Sequence, residues 1–514
     1  MPIRSLPDPS DSRGSERLVR ELDRRLERLD REILVADWNL FTGRSRHGSA
    51  PWQLKRAALL SDDRLLSWVR SALRRDWTRP TRRRLELLER ILLDAQVEQN
   101  ESVVRLRSAL QERVVSFRPL WNGKKANRAR IFQVLYESDR ESDRRRAYYA
   151  FEPLHRPLES SLVELVQMRN ERARELGFRT FAEMRLGFQG LTPPRLQELA
   201  EDASRSLRDR LREFRDRFRG RSRQSAWHPW DFEYAWAHQV HLPVRLFPYR
   251  EMLPRIRTAI SRWGFPIERM RFRVVFHDIP AGGLTLAPDP PRDVRIVVHP
   301  RGGWVSYMVM FHEVGHAVHS SLIRSPKHLL RWHENIPGFG AFHEGIGGLF
   351  EDLASKAEWL STVPGVGEKR AREFEQASHF TSPLGTARQA SWLRIEQRLY
   401  QNPASDPMPE VQRFERHIFG FDDYKPISFV DSFFVDDPVY ASNYLLANLF
   451  GAQVRGTLRD LYGDPVWPNR KVGPWLTRNW FAPGSYIDWI PHLKEVTGRP
   501  FGTAAFRSEL TNPH

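Results

Sequence analysis

Apolar residues recur with helical spacing from the start of the chain. Residues 84–96 show this spacing, and residues 170–176 continue it up to Gly177, a residue type that commonly follows the last turn of a helix. In residues 16–36 apolar side chains return at steps of three or four, with charged residues between them: Leu18, Leu22, Leu26, Leu29 and Ile33. That spacing places one apolar stripe along an α-helix. The sequence therefore predicts a mainly α protein.

The pattern changes in residues 271–299. The segments RFRVVF and VRIVVH are short and β-branched, and a turn-rich segment separates them. These features predict two or three strands in a small antiparallel β-sheet. Helical patterns return after residue 304. Residues 219–231 are polar and include Pro229, so we predict an exposed connection there.

Composition narrows the classes of function. The 514 residues include 81 Lys and Arg but 64 Asp and Glu, a formal net charge of +17, and no cysteine. Any transition-metal site must therefore use His, Asp or Glu. The arginines alternate with acids along helical segments and no nucleic-acid motif occurs, so we expect a solvated basic surface without a nucleic-acid partner. The first residues lack the apolar core of a signal peptide, and no apolar run is long enough for a membrane span. We expect a cytoplasmic protein without membrane contact.

The segment FHEVGHAVH carries the strongest chemical signal. His312 and His316 are four residues apart, so a helix places both imidazoles on one face, where they can bind one metal ion. Glu313 lies beside them and can accept a proton from the attacking water. This is the H-E-x-x-H pattern of metallopeptidases. His319 lies one turn beyond His316, and we interpret it as a packing or solvated histidine.

A catalytic zinc needs a third protein ligand and one open position for water. Residues 337–355 are glycine-bounded and read as a second helix, which carries Glu344 and Glu351. These two acids are seven residues apart and so share one helix face. One of them can bind the metal, and the other can accept the free N–H of a ligand histidine.

These motifs resemble the clan of zinc peptidases that includes thimet oligopeptidase, oligopeptidase F and angiotensin-converting enzyme. The metal helix and the FHEGIG turn carry the resemblance, which runs from about residue 130 to the end. It implies that Glu344 is the third ligand, beside His312 and His316, of one Zn²⁺. It also places Glu351 and His343 next to the ligands. The fold implied is one large helical domain, residues 1–514, with a deep central cleft and with residues 131–514 as the catalytic region. Residues 1–130 are predicted to be N-terminal helices, which we interpret as a lid.

The same resemblance implies a tyrosine that stabilises the transition state. Tyr444 is the first candidate, because Gln453 follows nine residues later as in the clan's pattern, and Tyr440 is the second. Two departures stand out. The segment SFFVDDPVY lacks the histidine expected ahead of the tyrosine, for which Tyr440 or His343 could substitute. Gly348 occupies the position of an aspartate in angiotensin-converting enzyme, and Glu351 is its candidate replacement.

Substrate binding is predicted at the small sheet. The strand VRIVVH could be an exposed edge to which a peptide adds as a further strand, or part of a hairpin that only braces the metal helix; the resemblance favours the edge. Three small residues nearby would let the peptide backbone approach closely: Ala281, Gly282 and Gly283.

The sequence thus predicts a zinc-dependent oligopeptidase that hydrolyses internal bonds of short, unstructured peptides. Two alternatives stay open. One is a peptidyl-dipeptidase or carboxypeptidase of the same clan, which needs a cation for the terminal carboxylate; Ser432 stands where angiotensin-converting enzyme has a lysine for this purpose. The other is an inactive binding or scaffold protein with a basic surface.

Overall fold

The computed structural model describes residues 5–222, 224–238, 242–279, 282–331, 336–430 and 432–511. Helices dominate throughout. The α-helices described in the first half are α1 (Ser12–Phe41), α2 (Ala50–Leu60), α3 (Asp63–Leu73), α4 (Arg79–Glu98), α5 (Glu101–Ser116), α6 (Arg128–Glu137), α7 (Glu141–Tyr148), α8 (Glu152–His155), α9 (Glu159–Glu175), α10 (Phe181–Gly187), α11 (Pro193–Ser206), α12 (Arg208–Ser222) and α13 (Pro229–Ala237).

The second half continues with helices around the small sheet. The helices are α14 (Met252–Arg262), α15 (Trp304–Leu322), α16 (Gly340–Glu351), α17 (Ala357–Leu360), α18 (Glu368–Thr381), α19 (Leu384–Gln401), α20 (Met408–Phe419), α21 (Ser432–Asp436), α22 (Ala441–Tyr462), α23 (Val472–Leu476), α24 (Trp489–Thr497) and α25 (Ala504–Thr511). The strands are β1 (Leu120–Trp121) and β2 (Lys124–Lys125), which form a hairpin, and β3 (Phe272–Phe276), β4 (Gly283–Asp289) and β5 (Asp293–Val298).

The predicted helical stripes are present. The apolar positions of residues 16–36 form the buried face of α1, and residues 84–96 lie within α4. Gly177 follows α9 with φ 96°, a conformation that glycine adopts without a steric cost. The prediction for residues 219–231 was wrong in its extent. α12 continues to Ser222, and α13 begins at Pro229. The connection is also not exposed throughout, because Trp227 is buried, as is Trp230 at the start of α13.

The three-stranded sheet is mixed. Its order is β3-β5-β4, with β3 parallel and β4 antiparallel to β5. The expectation of an antiparallel sheet was therefore right for one pair and wrong for the other. The segment VRIVVH forms β5, the central strand, so it cannot be the edge to which a peptide adds. Among the described strands β4 pairs only with β5, which makes β4 an edge strand.

Alternation along β4 places the sheet between two helices. Successive side chains of a strand point to opposite faces. Leu286 packs with Trp38 of α1 and with Val297 of β5, whereas Thr285 contacts Glu313 of α15. The sheet is thus covered by α1 on one face and by the helix that carries the H-E-x-x-H pattern on the other.

Polar contacts fix α1 to a later part of the chain. The Asp30 carboxylate accepts a hydrogen bond from Arg56 at 2.7 Å and lies 2.9 Å from Nε2 of His328, and all three side chains are largely buried. Asp23 accepts a hydrogen bond from the backbone N–H of Leu329 at 2.8 Å. One connected cluster of buried apolar side chains also includes residues from both ends of the chain, from Leu18 to Phe506. The helices of residues 5–130 therefore share their core with the rest of the chain, and their action as a lid stays a prediction.

No helix among the described residues is both long enough and apolar enough to cross a membrane.

Candidate metal centre

α15 carries the H-E-x-x-H pattern through the middle of the protein. The helix starts after Gly303, whose φ of 100° turns the chain out of the sheet and into the helix. Most of its side chains are buried, as its apolar sequence predicts. His312 and His316 lie on one face, with ring centroids 4.6 Å apart and rings nearly perpendicular. Both imidazoles can therefore aim a nitrogen at one point.

α16 packs between α15 and α22, and its glycines make this close approach possible. A β-carbon at Gly347 would lie 2.6 Å from the imidazole ring of His312. A β-carbon at Gly345 would lie 2.5 Å from the ring of Phe450 in α22. Larger residues at these two positions would push the helices apart. The glycines thus bring the Glu344 carboxylate into reach of the two histidines.

His312, His316 and Glu344 form one cluster. Each offers a ligand atom, and these atoms all lie within 4.8 Å of one another; no other such group of three occurs in the part of the chain that the structure describes. Nε2 of His312 lies 3.5 Å from Oε2 of Glu344. Two imidazoles and one carboxylate are a donor set of catalytic zinc sites, which leave a fourth position open. The residues present therefore fit a single zinc ion.

The electrostatics of both histidines suit a metal. Burial lowers the pKa of His316 well below its ordinary value, so its ring is neutral and has a free lone pair. For His312, burial works in the same direction, but hydrogen bonds to Glu344 and Glu351 outweigh it and raise its pKa. A metal ion at Nε2 competes with that proton, so metal binding at this site releases protons.

Glu351 and His343 contact the two histidines from α16. Oε2 of Glu351 lies 2.9 Å from Nδ1 of His312, the nitrogen opposite to the one that faces Glu344. This contact fixes the tautomer and orientation of a metal-binding imidazole. The ring of His343 stacks on that of His316, with centroids 3.6 Å apart. The structure therefore places Glu344 toward the metal position and Glu351 behind His312.

The side chain of Glu313 extends from α15 toward β4. The Thr285 hydroxyl donates a hydrogen bond to Oε2 of Glu313 at 2.7 Å. Gly283 leaves room on the same side, since a β-carbon there would lie 2.7 Å from Cγ of Glu313. Burial raises the pKa of Glu313 to about 6. A carboxylate with that pKa accepts a proton at neutral pH and releases it again.

The sequence did not identify Thr285 as a functional residue. The sequence held one signal for it, because alternation along a strand places Thr285 on the same face as Gly283. That signal becomes usable only when the register of β4 is known.

The two candidate tyrosines lie on the α22 side of the cluster. The Tyr440 hydroxyl donates a hydrogen bond to Oε1 of Glu344 at 2.6 Å. The Tyr444 ring lies edge-on to that of Tyr440, with centroids 5.5 Å apart. Burial, and then the charge of Glu344, raise the pKa of both tyrosines, so both hydroxyls keep their protons.

The remaining predicted residues have distinct positions. His319 is fully buried against Phe342 and Phe481 and lies outside the metal cluster, and burial lowers its pKa to about 3. Gly282 is exposed just before β4, and Gly283 is the first residue of β4. Ala281 lies outside the described residues.

Comparison with known proteins gives a fold match and no sequence match. No protein-family model matches the chain, and no curated protein matches it. Trypanosoma cruzi metallocarboxypeptidase 1 matches with a TM-score of 0.68 and 16% identity, over 97% of this chain and 99% of that one. Pyrococcus furiosus carboxypeptidase, solved in an apo-Mg form, matches with the same TM-score and identity, over 97% of this chain and 98% of that one. PZ peptidase A, solved with an inhibitor, also matches with a TM-score of 0.68 and 16% identity, over 98% of this chain and 92% of that one. At this identity the likeness shows the fold, and this chain has the large helical fold of these peptidases over nearly its full length.

Proposed function

We propose that this chain is a zinc metallopeptidase that hydrolyses peptide bonds in short, unstructured peptides. The observation that carries the proposal is the cluster of His312, His316 and Glu344 with the Glu313 carboxylate beside it. The donor set fits zinc, and Glu313 belongs to the same helix without being one of the three ligands. A fold shared with several peptidases supports the same conclusion.

Bound zinc would supply a Lewis acid that activates water and polarises the scissile carbonyl. Glu313 accepts the proton of the attacking water and then delivers it to the leaving amine. Thr285 holds the carboxylate in the orientation that this transfer requires. Tyr440 fixes Glu344 through its 2.6 Å hydrogen bond. Tyr444 keeps its proton and serves as the donor to the developing oxyanion.

The peptide binds along β4 in this proposal. β4 is an edge strand that passes beside Glu313, and its first residue, Gly283, lets the Glu313 side chain lie close to the strand. Backbone hydrogen bonds to an edge strand recognise an extended peptide with little dependence on its side chains. This assigns to β4, with Gly282 and Gly283, the role that the sequence suggested for the following strand.

Cleavage of internal bonds is the preferred form of the proposal. A carboxypeptidase must bind the terminal carboxylate of its substrate with a cation. The carboxylates Glu344, a proposed zinc ligand, and Asp437 both raise the pKa of Tyr440 and of Tyr444. Asp437 thus adds negative charge on the side of the site that carries the two tyrosines, which disfavours a substrate carboxylate there. Carboxypeptidase activity is the second candidate, because two of the similar structures are carboxypeptidases.

One experiment tests both forms. The zinc-loaded protein is incubated with a peptide of about ten residues, with a free or an amidated C-terminus, with and without chelator, and the products are identified by mass spectrometry. Internal cleavage of both peptides that chelator abolishes supports the oligopeptidase. Release of residues only from the free C-terminus supports the carboxypeptidase. If the zinc-loaded protein cleaves neither peptide, the proposal is wrong and the chain is better described as a binding protein.

A further inference from the structure

The backbone before Tyr440 adopts an unusual conformation. Val439 has φ 64°, in the left-handed region, and it lies between α21 and α22. A β-branched residue is strained there and keeps this conformation only when its surroundings enforce it. Tyr440 follows directly, so the Val439 turn sets the direction from which its side chain approaches Glu344.

A carboxyl group from another helix enforces this turn. Glu396 of α19 is almost fully buried, and its Oε1 accepts a hydrogen bond from the backbone N–H of Val439 at 2.5 Å. The backbone N–H of Ala441, the first residue of α22, also acts on the Glu396 carboxyl and lowers its pKa, although burial outweighs this effect. Tyr440, the residue that precedes α22, gives that helix no side-chain cap. Glu396 thus holds the turn that leads into α22 from a distant part of the sequence.

A second buried group fixes the segment on its other side. Arg169 pairs with Glu98, with 2.6 Å between Nε and Oε1, and both side chains are buried. The same guanidinium donates hydrogen bonds to the backbone oxygens of Phe434 at 2.9 Å and Val435 at 2.8 Å. Neither Glu396 nor Arg169 belongs to the metal cluster. Their contacts converge on the backbone that leads to Tyr440.

We infer that Glu396 is a positioning residue of the metal centre: it holds the Val439 turn so that the Tyr440 hydroxyl reaches Glu344. The inference rests on the proposed function, because it gives that hydrogen bond a purpose in metal binding and catalysis. Glu396 acts through backbone N–H groups and through Tyr440, without contact to the metal or the peptide.

Variants that change the length of the side chain at position 396 distinguish this role from a general structural one. Glu396→Gln keeps an oxygen at the same distance, and since burial raises the pKa of Glu396 to about 8, the amide also matches its neutral form. Glu396→Asp keeps the acid but withdraws it by one methylene. We expect Glu396→Gln to stay close to the wild type. Loss of a direct partner of a metal ligand costs about 10- to 100-fold in affinity or activity. Glu396 acts one step further away, through Tyr440, so we expect Glu396→Asp to bind zinc about three- to tenfold more weakly and to lose kcat by a similar factor, with KM little changed.

Zinc affinity, measured by competition with a chromophoric chelator, is the primary readout because it does not depend on hydrolysis. The same measurement on Tyr440→Phe and on the double variant Glu396→Asp/Tyr440→Phe closes a double-mutant cycle. If Glu396 acts through Tyr440, its substitution changes zinc affinity little once the hydroxyl is gone.

Asp231 provides a matched control. It is a buried acid that accepts the backbone N–H of His228 at the start of α13 and pairs with Arg144. α13 packs on α6 and α7. Asp231→Asn is therefore expected to lower the unfolding temperature and to leave zinc affinity unchanged.

The outcomes are distinct. Weak zinc binding in Glu396→Asp, recovery in Glu396→Gln and a non-additive cycle support the inference. Equal zinc affinity in all variants, or full additivity with Tyr440→Phe, overturns it. If wild-type protein binds zinc but cleaves no peptide, the proposed function fails, while the zinc-affinity cycle still tests the role of Glu396.

Discussion

Thr285 and Glu313 are 28 residues apart in sequence, and their side chains share a 2.7 Å hydrogen bond. The Thr285 hydroxyl oxygen also lies 2.9 Å from the backbone oxygen of Glu313. The contact joins the edge strand β4 to α15 at Glu313, the proposed catalytic base. The strand proposed to bind the peptide and the proposed catalytic base are therefore held in one fixed relation.

Replacing Thr285 tests this relation. In Thr285→Val the shape is kept but the donor is lost, which leaves the buried Glu313 carboxylate without a hydrogen bond that orients it. We expect kcat to fall about tenfold, roughly the worth of a hydrogen bond to a charged group, while zinc content stays at the wild-type level. Thr285→Ser keeps the hydroxyl and is the matched control. Equal rates for the Val and Ser variants would remove Thr285 from the mechanism.

Replacing Glu313 separates proton transfer from metal binding. Glu313→Gln removes the base but none of the three ligands. We expect hydrolysis to fall by about 10²- to 10⁴-fold, the range typical of general acid–base catalysis, with bound zinc unchanged by elemental analysis. Near-normal turnover in a fully zinc-loaded variant would show that another group takes the proton.

Glu344 and Glu351 have different positions, and their variants should differ in degree. Glu344→Ala removes a ligand and should leave the purified protein with little zinc. Glu351→Ala removes only the 2.9 Å contact to Nδ1 of His312, so zinc affinity should fall about 10- to 100-fold. Chelator competition measures both. The reverse ranking would make Glu351 the ligand and Glu344 its neighbour.

The two tyrosines can be told apart by kinetics. Tyr444→Phe should lower kcat by about 10²- to 10³-fold with KM little changed, as when a transition-state donor is removed. Tyr440→Phe breaks the bond to Glu344, so its main effect should be weaker zinc binding. A change confined to KM in Tyr444→Phe would instead assign this residue to peptide binding.

The sequence predicted those parts of the site that depend on local spacing. Four-residue spacing on one helix brings His312 and His316 together, and seven-residue spacing puts Glu344 and Glu351 on one face of the next. Contacts between distant segments could not be read in this way. The register of β4 decides that Thr285 faces Glu313, and the parallel pairing of β3 with β5 decides which strand is the edge.

The connection before α13 is a second case in which contacts with distant segments could not be predicted from the local sequence. Residues 219–231 look polar as a set, yet Trp227 and Trp230 are buried by aromatic partners from elsewhere, among them Phe421 and Tyr148. A local average of polarity hides two such residues.

Glu396 should make stability depend on pH. Burial raises the pKa of its carboxyl from 4.5 to about 8, although the charges of Arg169 and Arg185 oppose this. The folded state then binds the proton more tightly than the unfolded chain. Stability from this group is fully present below about pH 4.5 and is lost as the pH rises to about 8. At about 1.4 kcal/mol per pH unit the effect amounts to a few kcal/mol.

Urea unfolding of the wild type and of Glu396→Gln at pH 5 and pH 9 measures this contribution. The free energy of unfolding of the wild type should fall more than that of the Gln variant between the two pH values. Parallel changes in both proteins would show that Glu396 does not titrate in this range.

The glycines of α16 make the site recognisable at low sequence identity. Gly340, Gly345 and Gly347 each stand where a β-carbon would meet a side chain of a neighbouring helix: Asn443, Phe450 and His312 respectively. At Gly345 and Gly347 a methyl group would meet a ring of the neighbouring helix, so either the ring or α16 would have to move. These positions should resist substitution while the surrounding sequence drifts. Their spacing, read together with H-E-x-x-H about 30 residues upstream, is a fingerprint by which other chains with this three-helix packing can be sought.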